Sequence, residues 1–361
     1  MHPFWSRRKR GLVEGNGGGR VLVTGGAGFI GSHLVDALAA RGDSVIVLDD
    51  LSAGSRENLI DALRTGRVEL VEAATQDAEA VEDCMRRADA CVHLAAALGV
   101  ENVVDNPLET LLANVRGADV IMAAAARHAR KLLFASSSEV YGKQSGEALT
   151  ELDDCTIGAP SRSRWSYAIA KQFGESLAHA YVQCEGADIA AVRFFNVVGP
   201  RQSTAYGMVL PRFMDQALAN EPLTIYGDGS QTRCFTSVYD AVRAVMGLLD
   251  SDSAAGATYN IGSSTPVRID DLAARVIKRS RSRSRTICVP YARAYGSGYE
   301  ELGRRIPDTT ALRECTGWSP LYTVDDMIGE LLDTRRPAQT DHQPARRRRR
   351  APAQALAGSR L

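Results

Sequence analysis

A glycine-rich turn near the start of the chain constrains the fold more than any other feature. The segment TGGAGFIG directly follows the apolar run RVLVT and opens a stretch with helical spacing, residues 28–40. From residue 20 to about residue 193, further apolar runs alternate with helical segments: SVIVLD, VELVE, ACVHLA, KLLFASS and IAAVRF. Parallel strands are joined by such crossover helices, so the alternation predicts an α/β fold with a doubly wound parallel sheet covered on both faces.

The three glycines of this turn have the spacing of a dinucleotide-binding motif. Gly25 allows the tight turn, Gly28 lets the backbone approach a pyrophosphate, and Gly31 lets the helix pack closely on the strand. Asp49 ends the next strand, where a carboxylate can bind the adenosine ribose and repel a 2′-phosphate. The sequence therefore predicts a Rossmann-type domain that binds NAD rather than NADP. Its predicted cofactor contacts are Gly25, Gly28, Phe29, Ile30, Gly31, Asp49, Leu94, Ala95 and Ala96.

The chain divides into four regions. The NAD-binding domain covers residues 20–195. Gly and Pro then become frequent, which predicts a smaller C-terminal α/β domain for the substrate at residues 196–333, with some of this chain returning to the first domain. Lys+Arg and Asp+Glu both total 43, but arginines are concentrated at the two ends. Residues 1–19 and 334–361 are therefore predicted to be disordered basic extensions of an acidic body, with no specific nucleic-acid partner.

Other features are interpreted as structural. Seven cysteines are scattered singly with no CxxC pair, which predicts reduced thiols, no metal site and a cytoplasmic protein. No run of 18 apolar residues exists, so neither a signal peptide nor a membrane span is predicted. His93 ends an apolar strand, where packing is favoured over catalysis. The stretch KRSRSRSR at residues 278–285 is expected to be an exposed basic loop rather than an RNA-binding segment.

A candidate catalytic pair lies in RWSYAIAKQ, where Tyr167 and Lys171 stand four residues apart. On a helix these positions share a face, and a nearby ammonium with the positive nicotinamide ring favours the phenolate, a base at neutral pH. An ordinary amphipathic helix would have the same spacing. However, the preceding strand ends in Ser137, Ser138 and Glu139, at the sheet edge where parallel sheets bind ligands. We therefore predict that all five residues are catalytic, although the serines could simply cap a turn beside a solvated Glu139.

Together these segments resemble the extended short-chain dehydrogenase/reductases, specifically the nucleotide-sugar epimerases, dehydratases and decarboxylases. The likeness runs from about residue 20 to residue 330 and includes TGGAGFIG, HLAA, SSSEVYG, YAIAK, RFFNVVGP, LTIYGDGSQTRCF and RRIPDTTAL followed by GW. It implies NAD as cofactor, a UDP-linked nucleotide sugar as substrate, and a homodimer formed through helices at about residues 108–127 and 165–183. In one departure from similar enzymes, Ala74 stands where an adenine-contacting Asp would be.

The resemblance also implies roles for individual residues. Ser137 would hydrogen-bond the sugar 4-hydroxyl, and Tyr167 would take its proton while NAD takes the C4 hydride. Asn114 would support the active-site strand and helix and belongs to the implied cofactor site, as do Tyr167 and Lys171. Asn196 and Arg233 would hold the phosphates. The implied substrate-binding residues are Ser137, Arg164, Asn196, Arg212, Tyr226, Arg233, Arg305 and Asp308, the last two in a stretch that closes over the uridine.

Relatives of this kind share oxidation at C4 and differ in the later steps. Dehydratases usually carry Asp-Glu before VYG, where this chain has Ser138 and Glu139, and a plain epimerase has no use for Glu139. Similar decarboxylases carry Ser-Glu there and an arginine ahead of the tyrosine, as Arg164 is here. The resemblance therefore favours UDP-glucuronate decarboxylation to UDP-xylose and CO₂. A UDP-hexose or UDP-hexuronate 4-epimerase is the alternative, and a 4,6-dehydratase, a non-catalytic NAD-binding protein or a nucleic-acid-associated protein is less favoured.

Overall fold

The computed structural model describes residues 18–97, 106–144, 148–162, 165–204, 208–291, 293 and 305–335. The strands of this part of the chain are β1 (Arg20–Thr24), β2 (Ser44–Leu48), β3 (Val68–Val71), β4 (Ala90–His93), β5 (Lys131–Ser137), β6 (Ile189–Phe194), β7 (Val197–Val198), β8 (Leu223–Tyr226), β9 (Thr232–Cys234), β10 (Thr236–Ser237), β11 (Thr258–Ile261), β12 (Pro266–Arg268) and β13 (Thr286–Val289). The helices are α1 (Phe29–Arg41), α2 (Ile60–Leu63), α3 (Ala78–Arg87), α4 (Pro107–Arg127), α5 (Ser166–Glu185), α6 (Val209–Leu218), α7 (Val238–Asp250), α8 (Ile269–Ser280), α9 (Thr310–Thr316) and α10 (Val324–Arg335), with short 3₁₀ helices at Arg56–Leu59 and Ser138–Tyr141.

The central sheet has the predicted doubly wound arrangement. Within the described residues, seven parallel strands lie in the order β11-β6-β5-β4-β1-β2-β3. The chain winds outward in one direction from β1 through β2 to β3, and in the other from β4. The crevice between β1 and β4 is therefore the switch point at which such sheets bind ligands. The Rossmann-type α/β fold is confirmed, and β11 shows that chain beyond residue 195 completes the first sheet.

Helix ends explain why the crossovers are compact. A left-handed glycine follows α1, where Gly42 has φ 109°, and another follows α5, where Gly186 has φ 66°. Asp77 begins α3 by accepting hydrogen bonds from the backbone N–H groups of Glu79 and Ala80, both at 3.1 Å. These caps satisfy backbone groups that a helix leaves without partners. The chain can therefore turn directly back to the sheet.

Apolar side chains cover both faces of the sheet. On one face Leu34 of α1 and Val245 of α7 join a core with β1 and β6, and on the other Met85 of α3 and Ile121 of α4 pack against β4 and β5. A separate core forms between α6, α8 and α10. The described chain therefore consists of a three-layer domain and a smaller helical and β unit. None of the helices in the described ranges is both long and apolar enough to cross a membrane.

The smaller unit is tied to the sheet domain near the end of the chain. Trp318 donates its indole N–H to the carbonyl of Asp240 at 2.9 Å, and the carboxylate of Asp240 accepts the backbone N–H groups of Leu321 and Tyr322 at 3.0 Å. Residues 281–285 form an exposed basic loop as predicted, although the first three residues of KRSRSRSR belong to α8. Residues 305–308 lie against the sheet, where Asn260 of β11 donates to the carbonyl of Asp308 at 3.0 Å.

Candidate active site

A cavity of about 1050 Å³ opens at the carboxyl ends of the central strands. Its wall combines the glycine turn after β1, the ends of β2, β4 and β5, the first turn of α5, and residues of the smaller unit. This volume lies at the upper end of the range for small-molecule sites, and the cavity extends across both units. One continuous space can therefore hold a cofactor and a second ligand.

The glycine turn is shaped as its sequence predicts. Gly25 has φ 68°, and a Cβ added there would lie 2.6 Å from the backbone nitrogen of Ala95. A Cβ on Gly31 would lie 2.1 Å from the carbonyl oxygen of Gly25, so any larger residue would force helix and turn apart. Gly28, Phe29 and Ile30 line the cavity. The amino terminus of α1 is thus presented to the cavity, as a pyrophosphate requires.

Asp49 lies at the end of β2 in the same wall. Its carboxylate is 7% exposed and accepts the backbone N–H groups of Ala27 at 2.8 Å and Leu51 at 2.9 Å. Burial raises the pKa of Asp49, whereas these two hydrogen bonds act in the opposite direction. The side chain is therefore held rigidly beside the glycine turn, where an adenosine ribose would lie. Ala74 lines the neighbouring wall without a carboxylate.

The middle of the cavity is lined by small residues after β4. Leu94, Ala95 and Ala96 all face it, as does Asn114 of α4. The amide of Asn114 donates to the carbonyl of Ala97 at 3.1 Å and accepts the N–H of Ala97 at 2.8 Å. Asn114 thus fixes the backbone that follows β4. Together with the glycine turn and Asp49, this smooth wall fits a dinucleotide.

Tyr167 and Lys171 lie in the first turns of α5 and line the cavity. Lys171 is 4% exposed, and its Nζ is 5.8 Å from the centroid of the Tyr167 ring. Burial lowers the pKa of Lys171 to about 8, which the nearby carboxylate of Glu175 partly offsets. Burial and the charge of Glu139 raise the pKa of Tyr167, whereas its hydrogen bond with Ser137 lowers it. The predicted phenolate therefore needs positive charge beside the ring, and the Lys171 ammonium is placed to supply it.

A buried polar cluster lies one helical turn beyond Lys171. Arg193 of β6 donates to both carboxylate oxygens of Glu175, at 2.9 and 2.7 Å, and the hydroxyl of Ser136 donates to the same carboxylate. Glu175 follows Lys171 by one helical turn, and Ser136 precedes Ser137 on β5. The ion pair therefore joins the catalytic helix to β6, and the Ser136 hydrogen bond joins it to the catalytic strand β5. The sequence does not predict this cluster, because the motif RFFNVVGP includes Arg193 but nothing in it indicates Glu175 as the partner.

Glu139 and Arg305 form the second charged feature of the site. The guanidinium of Arg305 donates to Glu139 Oε1 at 2.7 Å and to the carbonyl of Ser138 at 3.1 Å. The Arg305 side chain is 6% exposed and that of Glu139 31%, and both residues line the cavity. The sequence-based expectation put Arg305 over the uridine. The structure places its guanidinium against Glu139, in the turn that follows Ser137, and the contact with the uridine stays a prediction.

The remaining predicted substrate residues divide into two groups. Asn196 and Arg233 line the cavity; Asn196 donates to the carbonyl of Cys234 at 2.9 Å, and Arg233 to the carbonyl of Thr232 at 2.8 Å. Arg212 is absent from the wall in the described part of the chain, because it lies 4.2 Å from the Tyr226 ring centroid and donates to the carbonyl of Thr224.

Tyr226 and Asp308, which are also predicted to contact the substrate, are likewise absent from the described cavity wall. Tyr226 stacks with Arg212 outside it, and Asp308 accepts the backbone N–H of Thr310 at 2.7 Å at the start of α9. Arg164 lies outside the described residues. Substrate contacts by Arg212, Tyr226 and Asp308 would therefore require these side chains to leave their present partners.

His93 has the structural role that its position predicts. It is 2% exposed, and its Nδ1 lies 2.7 Å from the hydroxyl of Thr24. Burial, followed by the charge of Lys171, lowers the pKa of His93 to about 3, so the imidazole stays neutral at physiological pH. Within the residues that the structure describes, no cluster of His, Cys, Asp or Glu could hold a metal ion.

Comparison with known proteins agrees with this geometry. A model of the NAD dependent epimerase/dehydratase family matches residues 21–262. UDP-N-acetyl-alpha-D-glucosaminuronate decarboxylase of Bacillus cytotoxicus is 37% identical over 323 residues, 89% of this chain and 99% of the relative. UDP-glucuronic acid decarboxylase 1 of Arabidopsis thaliana is 34% identical over 87% of this chain and 69% of the relative.

Solved structures show the same fold. The crystal structure of UDP-glucuronic acid 4-epimerase from Bacillus cereus, in complex with UDP-glucuronic acid and NAD, superimposes with a TM-score of 0.78. It is 26% identical and covers 87% of this chain and 98% of its own. Sequence relatives include decarboxylases, whereas this neighbour is an epimerase.

Proposed function

The chain belongs to the NAD-dependent epimerase/dehydratase family, and from that premise we propose that it decarboxylates a UDP-linked hexuronic acid through a transient 4-keto sugar. UDP-glucuronate is the first choice of substrate, with UDP-xylose and CO₂ as products. The relatives at 37% and 34% identity are decarboxylases of such sugars. Such a reaction needs a base for the sugar 4-hydroxyl and a proton donor at C5, because the 4-keto group itself activates loss of the C6 carboxyl group.

The Glu139–Arg305 ion pair is the observation that supports decarboxylation over epimerisation. Epimerisation requires only the base and a hydroxyl beside it, which Tyr167 and Ser137 already provide. A guanidinium at 2.7 Å from a carboxylate, in the turn that follows Ser137, adds a cation for the C6 carboxylate and a group that can transfer a proton. The pair therefore has a chemical use in the proposed reaction and none in a simple C4 inversion.

NAD is the proposed cofactor. The glycine turn at Gly25, Gly28 and Gly31 would hold its pyrophosphate, Asp49 its adenosine ribose, and Lys171 its nicotinamide ribose. When bound, NAD accepts a hydride and later returns it, so it is recycled within one turnover. The fit is supported by the close glycine contacts and by the carboxylate of Asp49 in the cavity wall.

The residues of this chain would act in a fixed order. Tyr167 takes the proton of the sugar 4-hydroxyl, Ser137 orients that hydroxyl, and Lys171 stabilises the phenolate. Once C4 is a ketone, the C5–C6 bond breaks, CO₂ leaves, and the electron pair passes into the C4 carbonyl as an enolate. Arg305 stabilises the negative charge, and Glu139, whose side chain is 31% exposed, takes a proton from solvent and delivers it to C5. Tyr167 then returns its proton to the oxygen on C4.

Two alternatives have specific support. UDP-N-acetylglucosaminuronate is favoured as substrate by the relative at 37% identity, and it would undergo the same chemistry. Epimerisation at C4 is favoured by the structural neighbour that was crystallised with UDP-glucuronic acid. A 4,6-dehydratase has weaker support, because Ser138 stands where those enzymes usually have an aspartate.

Product masses separate these reactions. The purified chain is incubated with NAD and, separately, with UDP-glucuronate, UDP-N-acetylglucosaminuronate, UDP-glucose and dTDP-glucose. Loss of CO₂ from a uronate supports the proposal, and the uronate that reacts faster identifies the substrate. Loss of water indicates a dehydratase, and conversion to an isomer of unchanged mass indicates an epimerase; either result refutes decarboxylation.

We also propose a homodimer in a reducing compartment such as the cytoplasm. Leu108 on α4 and Phe173 on α5 are exposed at 67% and 41%, and these two helices pack side by side. All seven cysteines carry free thiols, as a reducing compartment allows. Light scattering of the purified chain tests the dimer: a monomer mass at micromolar concentration would contradict it.

A further inference from the structure

Asn260 of β11 is a fully buried amide with four hydrogen bonds. Its Nδ2 donates to the carbonyl of Leu149 at 2.9 Å and to that of Asp308 at 3.0 Å. Its Oδ1 accepts the hydroxyl of Tyr141 at 2.7 Å, and its backbone N–H donates to the carboxylate of Glu151 at 2.7 Å. No other part of the proposed mechanism uses this residue.

One of these bonds reaches residues 305–308, the segment that carries Arg305 and is here called the Arg305 segment, and a second reaches Leu149, which pairs with that segment. Leu149 donates its N–H to the carbonyl of Ile306 at 2.7 Å and accepts the N–H of Asp308 at 2.8 Å. Asn260 binds a carbonyl on each side of this short bridge. One side chain therefore holds the Arg305 segment directly at Asp308 and, through Leu149, at Ile306.

The third side-chain bond, with Tyr141, reaches the turn that carries Glu139. Tyr141 lies in the 3₁₀ turn Ser138–Tyr141, which begins just before Glu139. Glu139 and Arg305 are 166 positions apart in sequence, yet Asn260 contacts the turn of one and the segment of the other. A buried amide with all of its polar atoms bonded is a rigid connector, because breaking any bond leaves a buried polar group without a partner.

We infer that Asn260 is a positioning residue for the decarboxylation step. It holds the turn of Glu139 and the segment of Arg305 in place, so that the two side chains keep their distance and orientation. The inference rests on the proposed function for its chemistry and on Asn260's own contacts for its geometry. Oxidation at C4 depends on Tyr167, Lys171 and Ser137, which Asn260 does not touch. Its loss should therefore slow the step that needs the pair and spare the step that does not.

The test is Asn260→Ala, assayed with UDP-glucuronate and NAD. Misplacement of a catalytic pair by a fraction of an ångström is expected to slow CO₂ release about 10- to 100-fold. Reduced cofactor should form at a rate near that of the wild type and then accumulate on the enzyme. If Asn260 only stabilised the fold, its loss would lower the fraction of folded enzyme and slow both steps equally. That result would overturn the inference.

Tyr259→Phe is the matched control. Tyr259 precedes Asn260 on β11, is also buried, and its hydroxyl bonds the thiol of Cys315 rather than the Arg305 segment. This variant removes one buried hydrogen bond from the same strand, so its CO₂ release should stay within about twofold of the wild type. A loss as large as that of Asn260→Ala would show that any polar deletion in β11 has the same effect.

A double-mutant cycle adds a second measurement. If Asn260 acts through Arg305, then Asn260→Ala in an Arg305→Ala background should slow CO₂ release by less than about threefold, because the group that it positions is already absent. Full additivity of the two losses would refute the connection.

Hydrogen exchange tests the geometry without catalysis. The backbone N–H groups of Leu149 and Asp308 should exchange at least about tenfold faster in Asn260→Ala than in the wild type. Unchanged exchange would overturn the inference whatever the kinetics. A wild type that releases no CO₂ from either uronate would refute the proposed function, and the exchange measurement would still decide whether Asn260 holds the Arg305 segment.

Discussion

The substitution Glu139→Gln tests whether the Glu139–Arg305 pair acts in a different step from Tyr167 and Lys171. The substitution keeps the shape of the side chain and one oxygen for Arg305, but it removes the charge that faces a guanidinium only 6% exposed. Deleting one partner of a buried pair costs about 3–5 kcal/mol. The cost here should be nearer 1–2 kcal/mol, since Glu139 is 31% exposed, Gln can still accept a hydrogen bond, and the Ser138 carbonyl remains bonded to Arg305.

In a chain of 361 residues such a loss lowers Tm by roughly 1–3 °C. The catalytic effect should be larger and confined to the later step: C4 oxidation continues, protonation at C5 slows about 100-fold, and reduced cofactor accumulates on the enzyme. Because the charge of Glu139 raises the pKa of Tyr167, its removal should also extend C4 oxidation to lower pH.

Rapid mixing with UDP-glucuronate measures these effects by the absorbance of the reduced cofactor and by CO₂ release. Glu69→Gln is the control, because Glu69 forms an exposed ion pair with Arg87 and its loss should change stability by less than about 1 kcal/mol. Unchanged CO₂ release in Glu139→Gln, with no accumulation of reduced cofactor, would refute the assignment of Glu139 to decarboxylation.

Four further predictions concern the base, the cofactor turn and the ammonium of Lys171. Tyr167→Phe should abolish turnover while nucleotide-sugar affinity, measured by calorimetry, changes less than about threefold; retained turnover would exclude Tyr167 as the base. Gly31→Ala should weaken NAD binding at least about tenfold, because the new Cβ would lie 2.1 Å from the carbonyl of Gly25; equal affinity in a titration would contradict the close packing. Because burial lowers the pKa of Lys171 to about 8, its ammonium is lost as pH rises through that value, so C4 oxidation should fall above about pH 8; a rate that stays level to pH 10 would contradict this role. The same shift predicts the direction of stability: between about pH 8 and 10.5 the unfolded chain binds more protons at Lys171, so this residue's contribution to folding becomes more favourable as pH rises.

Local patterns in the sequence accounted for the fold and for the cofactor half of the site. The alternation of apolar runs and helices predicts the parallel sheet, and the spacing of Gly25, Gly28 and Gly31 predicts a turn whose close contacts the structure shows. Tyr167, Lys171 and Ser137 come together for a similarly local reason. One helix and the preceding strand carry them to the same edge of the sheet.

The other half of the site depends on contacts between distant segments, which periodicity does not encode. Arg305 reaches Glu139 across 166 positions, from a segment that is hydrogen-bonded to Asn260 of β11. Arg212 was assigned to the substrate by resemblance, yet it stacks on Tyr226 because both side chains meet where α6 packs on β8. In each case the residue that fixes the position of the side chain lies in a different helix, strand or loop.

We propose that a charged pair beside a C4 base makes this chain a decarboxylase. One reaction with NAD and UDP-glucuronate labelled with carbon-13 at C6 is a decisive experiment. We expect labelled CO₂ and a UDP-pentose of the mass of UDP-xylose, with no net consumption of NAD. A UDP-hexuronate of unchanged mass that retains the label, with UDP-N-acetylglucosaminuronate equally intact, would contradict it.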